Sequence, residues 1–170
     1  MDAETFRALQ SPLKTRYRED ASAALITLAA HSTLDADGVA CRVETGRALA
    51  AAGLHPATGG DGNLVCSGDM LLEALVACAG VTLRAVALAI GTEVRGGRVS
   101  AEGDLDVRGT LGVTKDAPVG FREIRLRFEL DTDAADDMLA TLLRLTERYC
   151  VVLQTLRSAT VVASDLVATR

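Results

Sequence analysis

Four cysteines are the side chains of this sequence best suited to chemistry. They lie at Cys41, Cys66, Cys78 and Cys150, and no two of them form a CxxC pair. Two thiols can reduce a peroxide, because the first thiolate attacks oxygen to become a sulfenic acid and the second resolves it as a disulfide. Cys78 lies among small residues in an apolar segment, and Cys150 follows a predicted helix, where the chain must turn. The pair is a candidate for such chemistry, and an inert, packed cysteine is the alternative at Cys78.

A reactive Cys78 needs a lowered pKa, because a free cysteine with a pKa near roughly 8.5 is mostly protonated at neutral pH. Cys78 lies in the middle of its predicted helix, away from the helix N-terminus, so we expect a nearby cation to activate it. The candidate cations are Arg42, Arg47, His55 and the cluster Lys14, Arg16 and Arg18. Asp69 or Glu73, upstream on the same helix, would hold that cation in place. For each charged residue a solvated surface role is the alternative.

The other two cysteines are predicted to pack. Cys41 alternates with Val39 and Val43 on a predicted strand, and Cys66 lies just before the apolar helix. Structural zinc sites usually contain short C-x₂₋₄-C pairs, which this sequence lacks. We therefore expect no metal and no cofactor.

The composition of the chain argues against a nucleic acid as its partner. The chain has 170 residues, 18 basic and 23 acidic side chains, 3% aromatic residues and no Trp. Nucleic-acid binding needs clustered Lys and Arg and, for single strands, aromatic platforms, so we expect no nucleic-acid partner. The size fits one domain over residues 1–170, with residues 1–22 as a possible extension.

The first residues and the most apolar segment bear on localisation. Met1-Asp2-Ala3-Glu4 has neither the basic region nor the apolar region of a secretory signal, so we expect a cytoplasmic protein. The segment from Met70 to Ile90 is interrupted by Glu73 and Arg84, whereas a membrane span needs about 20 apolar residues. A buried core helix, with no membrane contact, is therefore predicted.

Hydrophobic periodicity predicts an α+β fold. Two early extended segments, Ala23–Thr33 and Gly38–Gly46, flank a turn signal and form a predicted hairpin. A helix over about Asp69–Ile90 ends at Gly91, and strands containing Val99–Val107 and Ile124–Leu130 alternate apolar with polar residues. A second helix covers about Asp133–Tyr149, with Asp133, Asp136 and Asp137 in its first turn. Its predicted apolar stripe is Met138, Leu142, Leu145 and Tyr149, with Leu139 and Leu143 beside it, and a last strand covers Thr160–Ala168.

The cysteine helix and the second cysteine together resemble the OsmC/Ohr family of hydroperoxide reductases. The resemblance is carried by the helix Ser67–Cys78, the preceding Gly59-Gly60-Asp61-Gly62 and the later segment Glu147–Val152. Family members of the organic-hydroperoxide branch have an Asn-Pro-Glu segment where this chain has Ser67-Gly68-Asp69. They often have proline where this chain has Val151.

The resemblance implies an intertwined homodimer in which a strongly curved, largely antiparallel sheet wraps around a central apolar helix. It also implies that Cys78 is the peroxidatic cysteine and Cys150 the resolving one. The expected activity is a thiol-dependent peroxidase that reduces organic hydroperoxides and is itself re-reduced by an unknown dithiol. Two alternatives remain open at this point. One is a non-catalytic protein that binds a small apolar ligand on the same fold, and the other is an interaction module regulated by its oxidation state.

Overall fold

The structure, a computed structural model, describes residues 31–34, 40–44 and 49–168 and a few single positions before residue 20. For residues 31–34, 40–44, 49 and 50 it describes the backbone alone. The elements in chain order are β1 (His31–Leu34), β2 (Ala40–Glu44), β3 (Leu49–Gly53), β4 (Val65–Cys66), α1 (Ser67–Ile90), β5 (Gly96–Leu105), α2 (Val107–Thr110), β6 (Phe121–Asp131), α3 (Asp136–Tyr149) and α4 (Val151–Arg157). The fold is α+β, as the periodicity predicts.

The first sheet has the order β1-β2-β3-β4. β1 and β2 pair antiparallel, which confirms the predicted hairpin, although its first segment before His31 lies outside the described residues. β3 also pairs antiparallel with β2, whereas β4 joins β3 in parallel and leads directly into α1. Sequence analysis missed β3, because Leu49-Ala-Ala-Ala-Gly53 has no alternation and alanine favours strands weakly.

The second sheet is the antiparallel pair β5 and β6. On its inner face Val99 lies opposite Phe128, and Ala101 lies opposite Leu126. On its outer face opposite charges meet across the strands, as in Glu102 and Arg125. One face is therefore apolar and the other charged, as the alternation predicts.

Helix α1 packs with α3, α4 and the inner face of β5. Its buried residues are Leu75, Ala79, Leu83, Val86 and Ala87, and each fully buried leucine adds about 1.5–3 kcal/mol of hydrophobic stabilisation. The helix ends where Gly91 adopts a left-handed φ of 74°, a conformation that favours glycine. By length and composition α1 would pass for a membrane span, and 28% of its most apolar 18 residues are buried in the single chain.

Helix α3 differs from the prediction in where it begins and in which residues it buries. Helix α3 begins at Asp136, so Asp133 lies before it and accepts hydrogen bonds from Arg95 instead. Met138 and Tyr149 are exposed, because the buried face of α3 is centred on Leu142 and Thr146.

The prediction of a last strand over Thr160–Ala168 is wrong for the single chain, where these residues have no regular structure. Helix α4, which sequence analysis missed, precedes them. A strand needs a partner edge for its backbone groups, and a composition rich in valine does not supply one.

Candidate active site

Cys78 lies in the middle of α1, on the side that faces α4. Its neighbours Leu75 and Ala79 are fully buried and pack with Leu153 of α4. Cys78 itself is half-buried and packs against the same cluster, so its thiol lies at the edge of the core. Such a position leaves a path to solvent while a neighbouring helix can approach the sulfur.

Cys150 joins α3 to α4. It is both the residue that follows α3 and the residue that precedes α4, and its extended backbone (φ −73°, ψ 106°) turns the chain between the two helices. Its side chain has no solvent exposure and packs in the cluster with Leu75 and Ala79. Both Cys78 and Cys150 are free thiols, and each lies within hydrogen-bonding reach of the other. We call them the thiol pair.

Four polar groups beside Cys78 lower the pKa of its thiol. They are the backbone N–H of Val152, the thiol of Cys150, the hydroxyl of Thr82 and the backbone N–H of Val151. Partial burial alone would raise the pKa of Cys78, but these donors outweigh burial and hold that pKa below its ordinary value. All four donors are uncharged, so the described residues offer an activation of Cys78 that needs no cation.

The pKa of Cys150 shifts the other way. Burial raises it above the ordinary value, and the neighbouring Cys78 raises it further, although the backbone N–H groups of Leu153 and Val152 oppose the change. Two sulfur atoms this close do not both carry a charge easily, because like charges repel strongly where water is excluded. The thiol pair is therefore asymmetric, because the lowered pKa of Cys78 and the raised pKa of Cys150 make Cys78 the thiol that loses its proton more readily.

The turn between α3 and α4 is fixed by side chains on both helices. Arg157 forms an ion pair with Glu147, with 3.1 Å between Nη2 and Oε1. The side-chain amide of Gln154 donates to the carbonyl oxygen of Glu147 over 2.7 Å. These contacts link the last turn of α3 to α4 and hold the first residues of α4 against Cys78.

The structure does not bring the predicted acids to Cys78. Asp69 is exposed, about 14 Å from Cys78 along the helix axis and on the opposite side of α1. Glu73 is also exposed and lies about 140° around the helix from Cys78. His55 is exposed as well, and its Nδ1 accepts a hydrogen bond of 3.0 Å from the backbone N–H of Ala57.

The predicted cations of the first strands cannot be placed at the site. The side chain of Arg42 and the whole of Arg47 lie outside the described residues, as do Lys14, Arg16 and Arg18. The side chain of Cys41 is likewise outside them. Among the described residues, no group of three His, Cys, Asp or Glu side chains could hold a metal ion.

A second candidate region lies at the start of α1. Cys66 immediately precedes the helix and is half-buried. It lines a cavity of about 630 Å³, which we call the α1-start pocket, together with His55, Asp69 and mostly apolar side chains such as Leu72 and Phe121. Thus two of the predicted supporting residues belong to this pocket and not to the thiol pair.

The groups that sequence analysis missed are Thr82 and the backbone N–H groups of Val151 and Val152. Sequence analysis considered the N-terminus of the helix that carries Cys78 but not that of another helix. The available signal was the turn at Cys150, because a helix that begins there has unpaired N–H groups in its first turn. The β-branched residues Val151 and Val152 gave no indication of a helix start.

Comparison with solved structures finds the same fold in several proteins. An OsmC-like protein from Mycoplasma pneumoniae superposes with a TM-score of 0.66 and 16% identity, over 79% of this chain and 89% of that one. An organic hydroperoxide resistance protein OsmC from Legionella pneumophila gives 0.61 and 16%, over 78% and 90%. An organic hydroperoxide resistance protein from Elizabethkingia anophelis gives 0.62 and 15%, over 79% and 91%. At these identities the likeness concerns the fold.

Sequence comparison gives the family. Curated protein sequences yield no match. The sequence profile described as OsmC-like protein matches residues 60–165, which span β4 through α4 and contain both members of the thiol pair. This match covers more than half of the chain and agrees with the fold of the solved structures. The chain therefore belongs to the OsmC-like protein family.

Proposed function

We propose that the protein is a thiol-dependent peroxidase that reduces organic hydroperoxides, with Cys78 as nucleophile and Cys150 as resolving thiol. Two of the similar solved structures are organic hydroperoxide resistance proteins, which supports a role in peroxide resistance. The observation that carries the proposal is the thiol pair itself, because Cys78 packs against the buried cluster that contains Cys150 and has the lower pKa of the two.

The chemistry follows in three steps. The Cys78 thiolate attacks the terminal peroxide oxygen, the O–O bond breaks, and the alkoxide leaves and takes a proton to become an alcohol. Cys150 then loses its proton and attacks the sulfenic acid on Cys78, forming the disulfide and releasing water. A dithiol donor, oxidised in turn, reduces the disulfide and restores both thiols. A reducing compartment such as the cytoplasm would keep the resting pair reduced.

Peroxide consumption with a dithiol reductant tests this proposal. We expect the unaltered protein to turn over an alkyl hydroperoxide many times. The Cys150→Ser variant should react once and keep a sulfenic acid on Cys78, which a dimedone-type reagent labels. Repeated turnover by Cys150→Ser at the unaltered rate would remove Cys150 from the mechanism.

We also propose that the working unit is a homodimer. Helix α1 carries an exposed stripe at Ala74, Ala77 and Val81, and Val81 is 72% exposed. Four apolar side chains beyond α4 are 81–93% exposed: Val161, Val162, Leu166 and Val167. A second copy would remove such apolar surface from water.

Light scattering should give twice the mass of one chain for the unaltered protein, and Val81→Asp should lower the measured mass to that of one chain. A single-chain mass for the unaltered protein would contradict the dimer.

A second candidate function is the binding of a small apolar molecule in the α1-start pocket. Its volume of about 630 Å³ and its apolar walls favour this candidate. An alkyl-chain fluorescent probe should bind the unaltered protein, and Leu105→Trp, which fills the pocket, should abolish binding. Equal binding by both proteins would place the probe elsewhere.

A further inference from the structure

Thr146 of α3 carries a buried hydroxyl for which the described part of the chain offers no hydrogen-bond partner. The residue is 1% exposed, solvent does not reach Oγ1, and none of the described residues forms a hydrogen bond with that atom. Burying a hydroxyl in this way lowers stability, because the group gives up its hydrogen bonds to water. Valine has nearly the same shape and would fill the position without that loss. The hydroxyl therefore needs an explanation other than packing.

Thr146 lies one helical turn before Cys150 on the same face of α3. Leu142, Thr146 and Cys150 follow one another at intervals of four residues, and each is at most 1% exposed. The backbone N–H of Cys150 donates to the carbonyl oxygen of Thr146 over 3.0 Å, so the turn between them is closed. Cys150 also keeps a helical φ of −73°, which sets the direction of its Cα–Cβ bond. Its side chain therefore leans back towards Thr146, with about 5–6 Å between the two Cβ atoms.

The buried face of α3 packs against α1, and the two helices run in opposite directions. Leu142 packs in the cluster of Leu83, near the end of α1, whereas Cys150 packs in the cluster of Ala79, nearer to its start. Thr146 lies between these two clusters on α3. Because solvent does not reach this layer, a negative charge that develops on Cys150 has to be stabilised by groups of the protein.

The other side-chain donors in the last two turns of α3 face away from Cys150. Arg144, Arg148 and Tyr149 are exposed, and the guanidinium of Arg148 lies 5.5 Å from the centre of the Tyr149 ring. Thr146 alone among the donors of these two turns shares the buried face with Cys150. Its hydroxyl is therefore the side-chain donor of α3 best placed to meet the sulfur.

We infer that the hydroxyl of Thr146 stabilises Cys150 during disulfide formation, by donating a hydrogen bond to its sulfur as the thiol loses its proton. A neutral thiol is a weak acceptor, so the hydroxyl gains a strong partner only at this step. The sulfur of Cys150 attacks that of Cys78, the S–S bond forms and the S–O bond of the sulfenic acid breaks. The proton of Cys150 goes to the departing oxygen, which leaves as water. This inference rests on the proposed peroxidase function.

An aromatic disulfide reagent tests the inference without any peroxide. The Cys78 thiolate attacks dithiobis(nitrobenzoate) and releases one coloured thiolate, and Cys150 then attacks the mixed disulfide and releases a second. Cys41→Ser and Cys66→Ser, present in every protein tested, confine both releases to the thiol pair. In Thr146→Val, where a methyl group replaces the hydroxyl, we expect the second release to slow about tenfold, because Cys150 loses a hydrogen bond to its thiolate. The first release should keep its rate.

Two further variants separate this role from a structural one. Thr146→Ser keeps the hydroxyl and should restore most of the rate of the second release. Thr92→Val removes another buried hydroxyl that lacks a partner among the described residues, just beyond the end of α1, and should leave both releases unchanged. Both valine variants should unfold at a higher temperature, because each removes an unpartnered buried polar atom. If Thr146 served the fold alone, Thr146→Val would raise the unfolding temperature and slow nothing.

A second release at the unaltered rate in Thr146→Val would overturn the inference, as would equal slowing by Thr146→Val and Thr146→Ser. With an alkyl hydroperoxide, Thr146→Val should form the sulfenic acid on Cys78 at the unaltered rate and the disulfide about tenfold more slowly. If the protein with Thr146 consumed no hydroperoxide but still gave both releases, the proposed function would fail. The slowing of the second release by Thr146→Val would then still support the hydrogen bond to Cys150.

Discussion

A cysteine immediately precedes each of two helices in this protein, and the two sites differ in the groups that surround the sulfur atom. Cys66 precedes α1, a helix of 24 residues, whereas Cys150 precedes α4, a helix of seven. Neither side chain makes a capping hydrogen bond. The longer helix has the larger macrodipole, yet the thiol pair forms at the shorter one. The comparison shows that the convergence of a second sulfur and several backbone donors, and not helix length, distinguishes the candidate active site.

The largest expected effect is on the rate of peroxide consumption, and it distinguishes Cys78 of the thiol pair from Cys66. Cys78→Ser should lower peroxide consumption to the uncatalysed rate, because a hydroxyl is a far weaker nucleophile than a thiolate. Cys66→Ser should retain the full rate, since Cys66 lines the α1-start pocket and not the thiol pair. The measurement is loss of an alkyl hydroperoxide with a dithiol reductant. The reverse pattern would transfer the proposed chemistry to the start of α1.

The next largest effect concerns the donors from α4. Val151→Pro removes one N–H at the first position of a helix, where proline is tolerated, and the extended Cys150 is compatible with a following proline. Losing this donor should raise the pKa of Cys78, because the N–H of Val151 is one of the groups that lower it. Below that pKa the thiolate fraction, and with it the peroxide rate, should fall severalfold.

The rate of Cys78 alkylation across pH measures this shift, and Val151→Ala, which keeps the N–H, is the matched control. In the unaltered protein the rate should rise with pH and level off below the ordinary pKa of a free thiol. An identical profile for proline and alanine would show that the N–H of Val151 does not stabilise the thiolate.

A smaller effect should come from the ion pair that fixes the turn. Arg157→Gln breaks its contact with Glu147, and both side chains are partly exposed, so stability should fall by less than about 1 kcal/mol. Disulfide formation between Cys78 and Cys150 should slow by less than about fivefold. Arg127→Gln, which breaks the exposed pair with Glu129 on the sheet, is the control for a lost surface charge. Equal slowing by both variants would mean that the turn contacts do not position Cys150.

The smallest effect is expected at the start of α1. Asp69→Asn and Glu73→Gln should leave the pH profile of Cys78 alkylation unchanged, because both carboxylates are exposed and lie on other faces of the helix. Chemical titration of Cys78 in the two variants checks this. A shifted pH profile in either variant would show that a carboxylate near the start of α1 affects the ionisation of Cys78, which would weaken the contrast between the two helix starts.

The elements differ in how far the sequence could predict them. Helix α1 and the strands β5 and β6 follow strong periodicity, and Gly91 marks the helix end, so their type and approximate bounds were predictable. Helix α4 was not, because a short helix that opens with two β-branched residues has weak local preference and depends on packing, here through Leu153. The segment Thr160–Ala168 fails in the opposite way, since its valines favour a strand but no strand of the described residues pairs with it.

The sequence by itself determined the α+β class, the apolar helix that carries Cys78 and the second helix that ends before Cys150. These features depend on periodicity and composition, which are local properties. The tertiary structure decided which cysteines meet and what lowers the pKa of Cys78. The donors from Val151 and Val152 are backbone N–H groups, which every residue except proline has. The order of side chains in the sequence therefore does not indicate which of these groups lie beside Cys78. They become a site because the turn at Cys150 directs the start of α4 towards the middle of α1.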